Sequence, residues 1–340
     1  MNRLLDSIKL LALAGGFHFF SSCSYEPEEP AFGFYPSRNF PPVEYSSPRN
    51  PITREGFELG RDLFYENGLS LDSSINCSSC HAQTHAFADH NVPLSAGVGG
   101  KLGKRNSPAL INLAWMPQFM ADGGIVHLDV MPLAPITDTL EMALPMQMAI
   151  DRLKCDSEYR SKFEKAFGTD TITSQRIFFA MSQFMLLMVS DDSRFDKYLE
   201  GEALLSDSER RGYSLFNTHC ANCHTEPLFT DYSYERNGID SEFDDLGRGR
   251  ITLDPADDGK FKVPTLRNVE LTYPYMHDGR FFTLEEVLDH YSDEVEPNMS
   301  HRLPQPLNLT SAEKEDIIQF LKTLTDYSFI SDPKLAEPRR

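Results

Sequence analysis

The sequence predicts a mostly α fold in which one helical domain is written twice in tandem. Three observations carry this. A long stretch recurs with its motifs in the same order, apolar residues fall at helical spacing in several windows, and runs with the alternation of a strand are sparse.

The repeat is the most specific of the three. Cys77-Ser78-Ser79-Cys80-His81 recurs as Cys220-Ala221-Asn222-Cys223-His224. Gly60-Arg61-Asp62-Leu63-Phe64 precedes the first run, and Gly212-Tyr213-Ser214-Leu215-Phe216 the second. Phe87-Ala88-Asp89 follows the first His, and Phe229-Thr230-Asp231 the second. Further on, Pro108–Asn112 matches Pro264–Asn268, and Met120–Gly124 matches Met276–Arg280. A C-x-x-C-H run is the attachment signature of a c-type haem: two thiols add to the vinyl groups and the adjacent His ligates the iron. Cys77, Cys80 and His81 are expected to hold one haem c, and Cys220, Cys223 and His224 a second, on two tandem cytochrome c-like haem domains.

The copies part company beyond the second match. Counting on without gaps, Leu128-Asp129 meets Leu284-Glu285, and Pro135 then meets Tyr291. Tyr can offer a phenolate to iron, whereas Pro has no ligating atom. Glu141 lies a few residues past Pro135. An open iron with a carboxyl nearby suggests chemistry, and a capped iron suggests electron relay.

In chain order, residues 1–22 read as a signal peptide, with Arg3 and Lys9 around an apolar run from Leu10 to Phe20. Ser21-Ser22-Cys23 resembles a lipoprotein cleavage site that would leave a lipid anchor on Cys23, an ordinary cleaved signal being the alternative. Residues 23–51 form a Pro-rich linker or strap, and Phe32, Phe34, Tyr35 and Phe40 lean toward the strap. The N-terminal haem domain, 52–195, opens with Thr53 as N-cap and a helix through Phe64 or Tyr65, burying Leu59, Leu63 and Phe64. Its loop with Gly97, Gly99, Gly100 and Gly103 lacks the ending of a phosphate-binding loop and reads as a flexible connection. Two helices follow between Met146 and Phe167, and a Met-rich third from about Thr173 to Val189, its Met side chains filling core. The C-terminal haem domain, 196–330, has a capping box at Ser206–Glu209 opening the helix into the second haem motif. Residues 235–262 are acidic and Gly-rich and read as a long surface loop; Asp254, Asp257 and Asp258 lack EF-hand spacing. A second capping box, Thr310–Glu313, opens a helix whose Ile317, Phe320, Leu321 and Leu324 close the second core, and 331–340 is a tail.

Composition narrows the field. The chain has 340 residues, a two-domain length, and 40% apolar with 11% aromatic residues allow two real cores. A formal net charge of −19 argues against nucleic acid; it reads first as a soluble acidic surface, with steering of a basic partner protein as the alternative. Of six cysteines four belong to the haem motifs; Cys155 stands alone as a buried or surface thiol.

These residues resemble the bacterial dihaem cytochrome c peroxidase and MauG superfamily from about Thr53 to Thr325. The resemblance is carried by Arg105-Asn106-Ser107-Pro108, Asp122-Gly123, Leu140-Glu141-Met142, Phe261–Asn268 and Tyr273–Arg280. It implies a peroxidatic haem on His81, an electron-transfer haem on His224, and Glu141 as the distal acid/base residue. It also implies a calcium ion between the domains, held by the side chain of Asn106 and the carbonyls of Thr272 and Pro274. Three departures stand out. No His in the 95–103 loop matches the one that blocks the peroxidatic iron in many resting peroxidases, and His85 and His90 fall too early and read as loop residues. The Gln that accompanies the catalytic Glu is replaced by Met131, and the Trp between the haems by Ala121, with Trp115 upstream read as core. The second haem's distal ligand, Met in some relatives and Tyr in MauG, matches Tyr291, with Met276 and Met299 as competitors. His277, beside that face, reads as bonded to a propionate or to the loop.

The leading function is a peroxidase reducing hydrogen peroxide with electrons from a small cytochrome c or cupredoxin. A MauG-like enzyme oxidising a partner protein and a non-enzymatic dihaem electron carrier are the alternatives. For Glu141 the alternative to catalysis is a cap or salt bridge on the helix nearby. Covalent haem attachment points to the periplasm or an outer-face lipoprotein of a Gram-negative-type bacterium, and dimerisation is an expectation of the family.

Overall fold

The computed structural model describes residues 32–37, 39–296, 302–303 and 305–339. The signal peptide 1–22, the acylation site at Cys23 and the competing ligand Met299 lie outside the described residues.

Each half is built on a crossed helix pair. In the first, α1 (Arg54–Phe64) is followed by α2 (Leu133–Thr137), α3 (Met146–Cys155), α4 (Ser157–Phe167) and α5 (Ser174–Leu186). In the second, α6 (Arg194–Leu199), α7 (Asp207–His219), the short α8 (Gly249–Thr252), α9 (Leu284–Asp289) and α10 (Ser311–Lys322) lead to α11 (Tyr327–Ser331). α1 packs on α5 and α7 on α10. The crossings are alike in atomic detail: a Cβ on Gly60 would lie 1.9 Å from Ala180 O, and one on Gly212 1.9 Å from Asp316 O. Only glycine lets the backbones approach so closely. Phe57, Phe64, Tyr65 and Phe184 interlock around the first crossing, and Phe195, Phe216, Phe229 and Phe320 around the second. The expected caps are in place. Thr53 accepts from Gly56 N, and Ser206 and Thr310 form capping boxes with Glu209 and Glu313. The third helix ends at Leu186 rather than Val189, where the Leu187, Met188 and Val189 amides turn back to carbonyls two or three residues earlier.

The described part of 23–51 packs as a strap. Phe34 and Phe40 flank Trp115 with ring centroids 5.2 and 5.0 Å away, and the indole N–H donates to Pro41 O at 2.8 Å. Trp115 is 1% exposed, a core residue. The tail also docks: Tyr65 Oη donates to Leu335 O, Gln83 to Phe329 O and Asp332 O, and Phe329 sits on Phe87.

The segment 235–262 differs most from its expected form. It is bracketed by the fold's one ladder among the described residues, β1 (Tyr234–Glu235) antiparallel to β2 (Phe261–Lys262), and it clamps the second half onto the first. Arg105 reaches Asp245 at 2.6 Å and Asp122 at 2.7 Å, Arg250 reaches Asp122 at 2.6 Å, and Arg248 donates to Asp122 O and Gly123 O. Composition hid this, because its cationic side chains find partners far away in sequence. No helix among the described residues is long and apolar enough to cross a membrane.

Gly60→Ala should lower stability by roughly 1–3 kcal/mol through overpacking against Ala180 O. Gly103→Ala, whose Cβ would meet only Ser95 O at 3.7 Å and Arg105 O at 3.9 Å, should stay within about 0.5 kcal/mol. Urea midpoints of the two variants check this.

Candidate haem sites

In the first half, α1 delivers the chain to a tight turn over Cys77–Ser79. Asn76 Oδ1 accepts from Ser78 N at 2.9 Å, and Ser79 Oγ accepts from Asn76 N at 3.1 Å. The turn closes with His81 N donating to Cys77 O at 3.0 Å, so both thiols and the imidazole belong to one rigid unit. His81 Nδ1 is 2.8 Å from Phe87 O, with Phe87 in the left-handed region at φ 58°. A protonated Nδ1 donating there leaves Nε2 for a metal and fixes the ring. Burial holds the imidazole below its usual pKa, in the neutral form iron needs. Cys80 is further engaged by Ser95, whose Oγ donates to Asp89 at 2.5 Å and meets Ser107 Oγ at 2.8 Å.

Glu141 lies close to the same thiols. Its backbone O accepts from Val98 N at 2.8 Å, and Gly97 approaches so closely that a Cβ there would lie 2.0 Å from Leu140 O. The Gly-rich loop is therefore seated on the Glu141 turn. The Glu141 carboxyl has no hydrogen-bond or ion-pair partner among the described residues, and α3 begins after Pro145 without a side-chain cap. The residue is exposed, yet enough protein surrounds the carboxyl that burial lifts its pKa above the usual carboxylate range, with Asp138 adding to the rise. Its charge in turn disfavours the thiolates of Cys77 and Cys80. Pro135 lies in α2, and Met131 caps the turn before it.

The second half repeats the proximal side. His224 N donates to Cys220 O at 3.0 Å, and His224 Nδ1 lies 3.1 Å from both Phe229 O and Pro264 O. Arg302 clamps the motif by pairing with Asp231 at 2.6 Å and donating to Asn222 O. The distal side is different. α9 continues into a π-helical turn, His290–Glu294, and this widened turn carries Tyr291 toward Cys220 and Cys223. Burial pushes the Tyr291 phenol up to about 12, the nearby Cys220 and Cys223 add to the rise, and the Asn237 side chain opposes it. Met276 stands beside this face with its sulfur accepting from Asn237 Nδ2 at 3.1 Å. His277 stacks on Phe261 at 4.3 Å, a loop contact.

Each half thus offers two thiols with no disulfide partner and one imidazole with Nδ1 committed to backbone. That donor set fits a covalently bound haem c. Of the candidate calcium ligands, Asn106 is tied by its backbone N–H to His277 O at 2.8 Å, in the turn that carries Pro274, and its amide nitrogen donates to Pro93 O. His85 and His90 stack on each other at 4.2 Å in the loop before it. Cys155 is exposed at the end of α3.

Sequence reasoning missed two polar residues. Asn237 lies in a loop with no motif around it. Lys262, inside the Phe261–Asn268 run, spans the seam between halves: its N–H donates to Ala121 O at 2.8 Å, and its Nζ donates to Gln118 O and lies 3.2 Å from Met116 Sδ. Burial drives Lys262 down to about 7, with Asp122 opposing and Arg248 assisting.

Residues 54–204 match the family model described as di-haem cytochrome c peroxidase, and 209–325 match that of cytochrome c. The chain is 33% identical to the methylamine utilization protein MauG of Methylophilus methylotrophus, over 85% of this chain and 90% of that protein. It is 34% identical to the cytochrome c551 peroxidase of Nitrosomonas europaea, over 94% and 91%. Among solved structures, a MauG-like protein associated with microbial copper homeostasis superposes with a TM-score of 0.82 at 33% identity, covering 91% of this chain and 100% of that one. The chain belongs to the di-haem cytochrome c peroxidase/MauG family, and its two cytochrome c-type domains imply two haem c groups.

Lys262 yields a prediction on pH. Its folded pKa of about 7 lies below the roughly 10.4 of an unfolded Lys, so between these values the unfolded chain binds more protons and stability rises with pH. Lys262→Met should flatten that rise, read from urea midpoints at pH 7 and pH 10; an unchanged slope assigns it to other groups.

Proposed function

We propose that the chain is a periplasmic di-haem peroxidase that reduces hydrogen peroxide to two waters, consuming two electrons and two protons. Residues 52–195 form the peroxidatic domain and 196–330 the electron-transfer domain. One observation carries the reading: beside Cys77 and Cys80 the first half presents the partnerless carboxyl of Glu141, where beside Cys220 and Cys223 the second presents Tyr291. Bound haem supplies an iron that accepts single electrons and binds peroxide. The rest falls to the chain's own residues. His81 and His224 hold the proximal sides through Nε2, and Cys77, Cys80, Cys220 and Cys223 anchor the groups covalently. Glu141 takes the proton from the near peroxide oxygen and returns it to the far one, which leaves as water. A carboxyl raised toward neutrality is suited to both transfers. Tyr291 covers the second site, so that peroxide meets only the first.

The electron donor is a small soluble redox protein, a cytochrome c or cupredoxin, and the surplus of 51 acidic over 32 basic residues favours a basic one. A calcium ion held by Asn106, Thr272 and Pro274 would stiffen the seam, and a lipid on Cys23 would hold the enzyme at a membrane's outer face. Tyr rather than Met on the second distal side also supports a second reading, MauG-like oxidation of a partner protein, and the relatives named MauG favour it too.

Glu141→Gln should lower kcat for peroxide, assayed with a reduced cytochrome donor, by about 10²–10⁴-fold while leaving haem content unchanged. In the wild type kcat/KM should fall as pH drops through the raised Glu141 pKa, and that acid limb should vanish in the variant. Full turnover in Glu141→Gln removes the acid/base assignment. Covalent change in a co-purified protein, without peroxide turnover from the cytochrome donor, selects the second reading.

A further inference from the structure

Asn237 stands beside two of the side chains that could cover the second haem, Met276 and Tyr291. Nδ2 donates to Met276 Sδ at 3.1 Å and Oδ1 accepts from Ile239 N at 3.3 Å, and the amide lies near enough to the Tyr291 phenol to oppose the rise of its pKa. The Ile239 bond fixes the amide's orientation, since a backbone N–H needs an acceptor, and so the NH₂ group is turned toward Met276. The loop itself is pinned to the π-helical turn that carries Tyr291. His290 Nε2 donates to Asn237 O at 3.0 Å, Glu296 N donates to Gly238 O at 2.9 Å, and a Cβ on Gly238, at φ +68°, would lie 2.7 Å from Val295 Cγ1. His290 is 2% exposed, so this tie is made in the core.

A thioether sulfur has two lone pairs, and an N–H donated to one of them draws electron density from the other and weakens it as an iron donor, whereas an N–H directed at a phenol oxygen stabilises its charged, ligating phenolate form. One amide placed against both groups therefore acts on them in opposite directions. We propose that Asn237 is the positioning residue that selects Tyr291 over Met276 as the distal ligand of the second haem, by engaging the sulfur and orienting the phenol oxygen. The proposal rests on the reading of Tyr291 given above and deepens it. Nothing in the first half corresponds to it, because Pro135 offers no oxygen to orient.

The test is spectroscopic and uses ferric holoprotein with both haems attached. Wild type should show the phenolate-to-iron signature by resonance Raman and lack a sulfur-to-iron charge-transfer band, and Met276→Leu should keep that pattern. Asn237→Leu should move the second haem from wholly phenolate-ligated to mostly thioether-ligated, with the sulfur-to-iron band appearing, and Asn237→Leu with Met276→Leu should lose the band again. Asn237→Asp keeps the side-chain volume and the acceptor for Ile239 but removes both donors, and it should give the same shift should the Leu variant fail to fold. Phenolate ligation in wild type with unchanged spectra in both Asn237 variants overturns the proposal and leaves Tyr291 standing. A thioether band already present in wild type overturns the Tyr291 reading, and the proposal with it.

Discussion

Two hydrogen bonds set the geometry on which the molecule turns: His81 Nδ1–H to Phe87 O, and its counterpart from His224 to Phe229 O. Each commits one face of an imidazole to the backbone and so decides which nitrogen is left for iron. Keeping the acceptor carbonyl in place requires a left-handed phenylalanine, at φ 58° in one half and 53° in the other, and the rest of each domain is arranged to hold that strained residue. Both Phe rings pack into the aromatic cluster around the glycine crossing. Sequence repeat, helix crossing and ligand orientation are thus one device used twice.

Against that shared proximal side, the distal sides diverge by a change in backbone form. In the first half a five-residue helix containing Pro135 ends in a turn that presents Glu141. In the second, α9 widens into a π turn that brings Tyr291 near Cys220 and Cys223. The segment over 235–262 serves both. It carries Asn237 to the second site and, through Arg248 and Arg250, grips the Asp122–Gly123 turn of the first. A single stretch of chain therefore joins the Asp122–Gly123 turn of the first half to Met276 of the second.

How much of this the sequence disclosed follows from the range of each interaction. The haem motifs and the caps at Thr53, Ser206 and Thr310 are local, and short-range chemistry is written in adjacent letters. The helices from Met146 to Phe167 were equally legible from their spacing. The clamp at 235–262 was not, because Arg105 and Asp245 are 140 residues apart and neither belongs to a periodic pattern. Asn237 escaped for the same reason, as its importance lies in what the π turn brings to it. Lys262 was visible only as part of a motif; its burial against Gln118 and Met116 needed the packing of the two halves.

The central claim is that near-identical proximal sites carry unequal distal ones. Electron paramagnetic resonance of the as-isolated ferric holoprotein tests it most directly by counting spin states. One haem without a side-chain sixth ligand, reading as high-spin, and one low-spin haem ligated by His and Tyr are predicted. Two haems each six-coordinate with protein side chains, in the ferric protein and after one-electron reduction, would contradict it and reduce the molecule to an electron carrier.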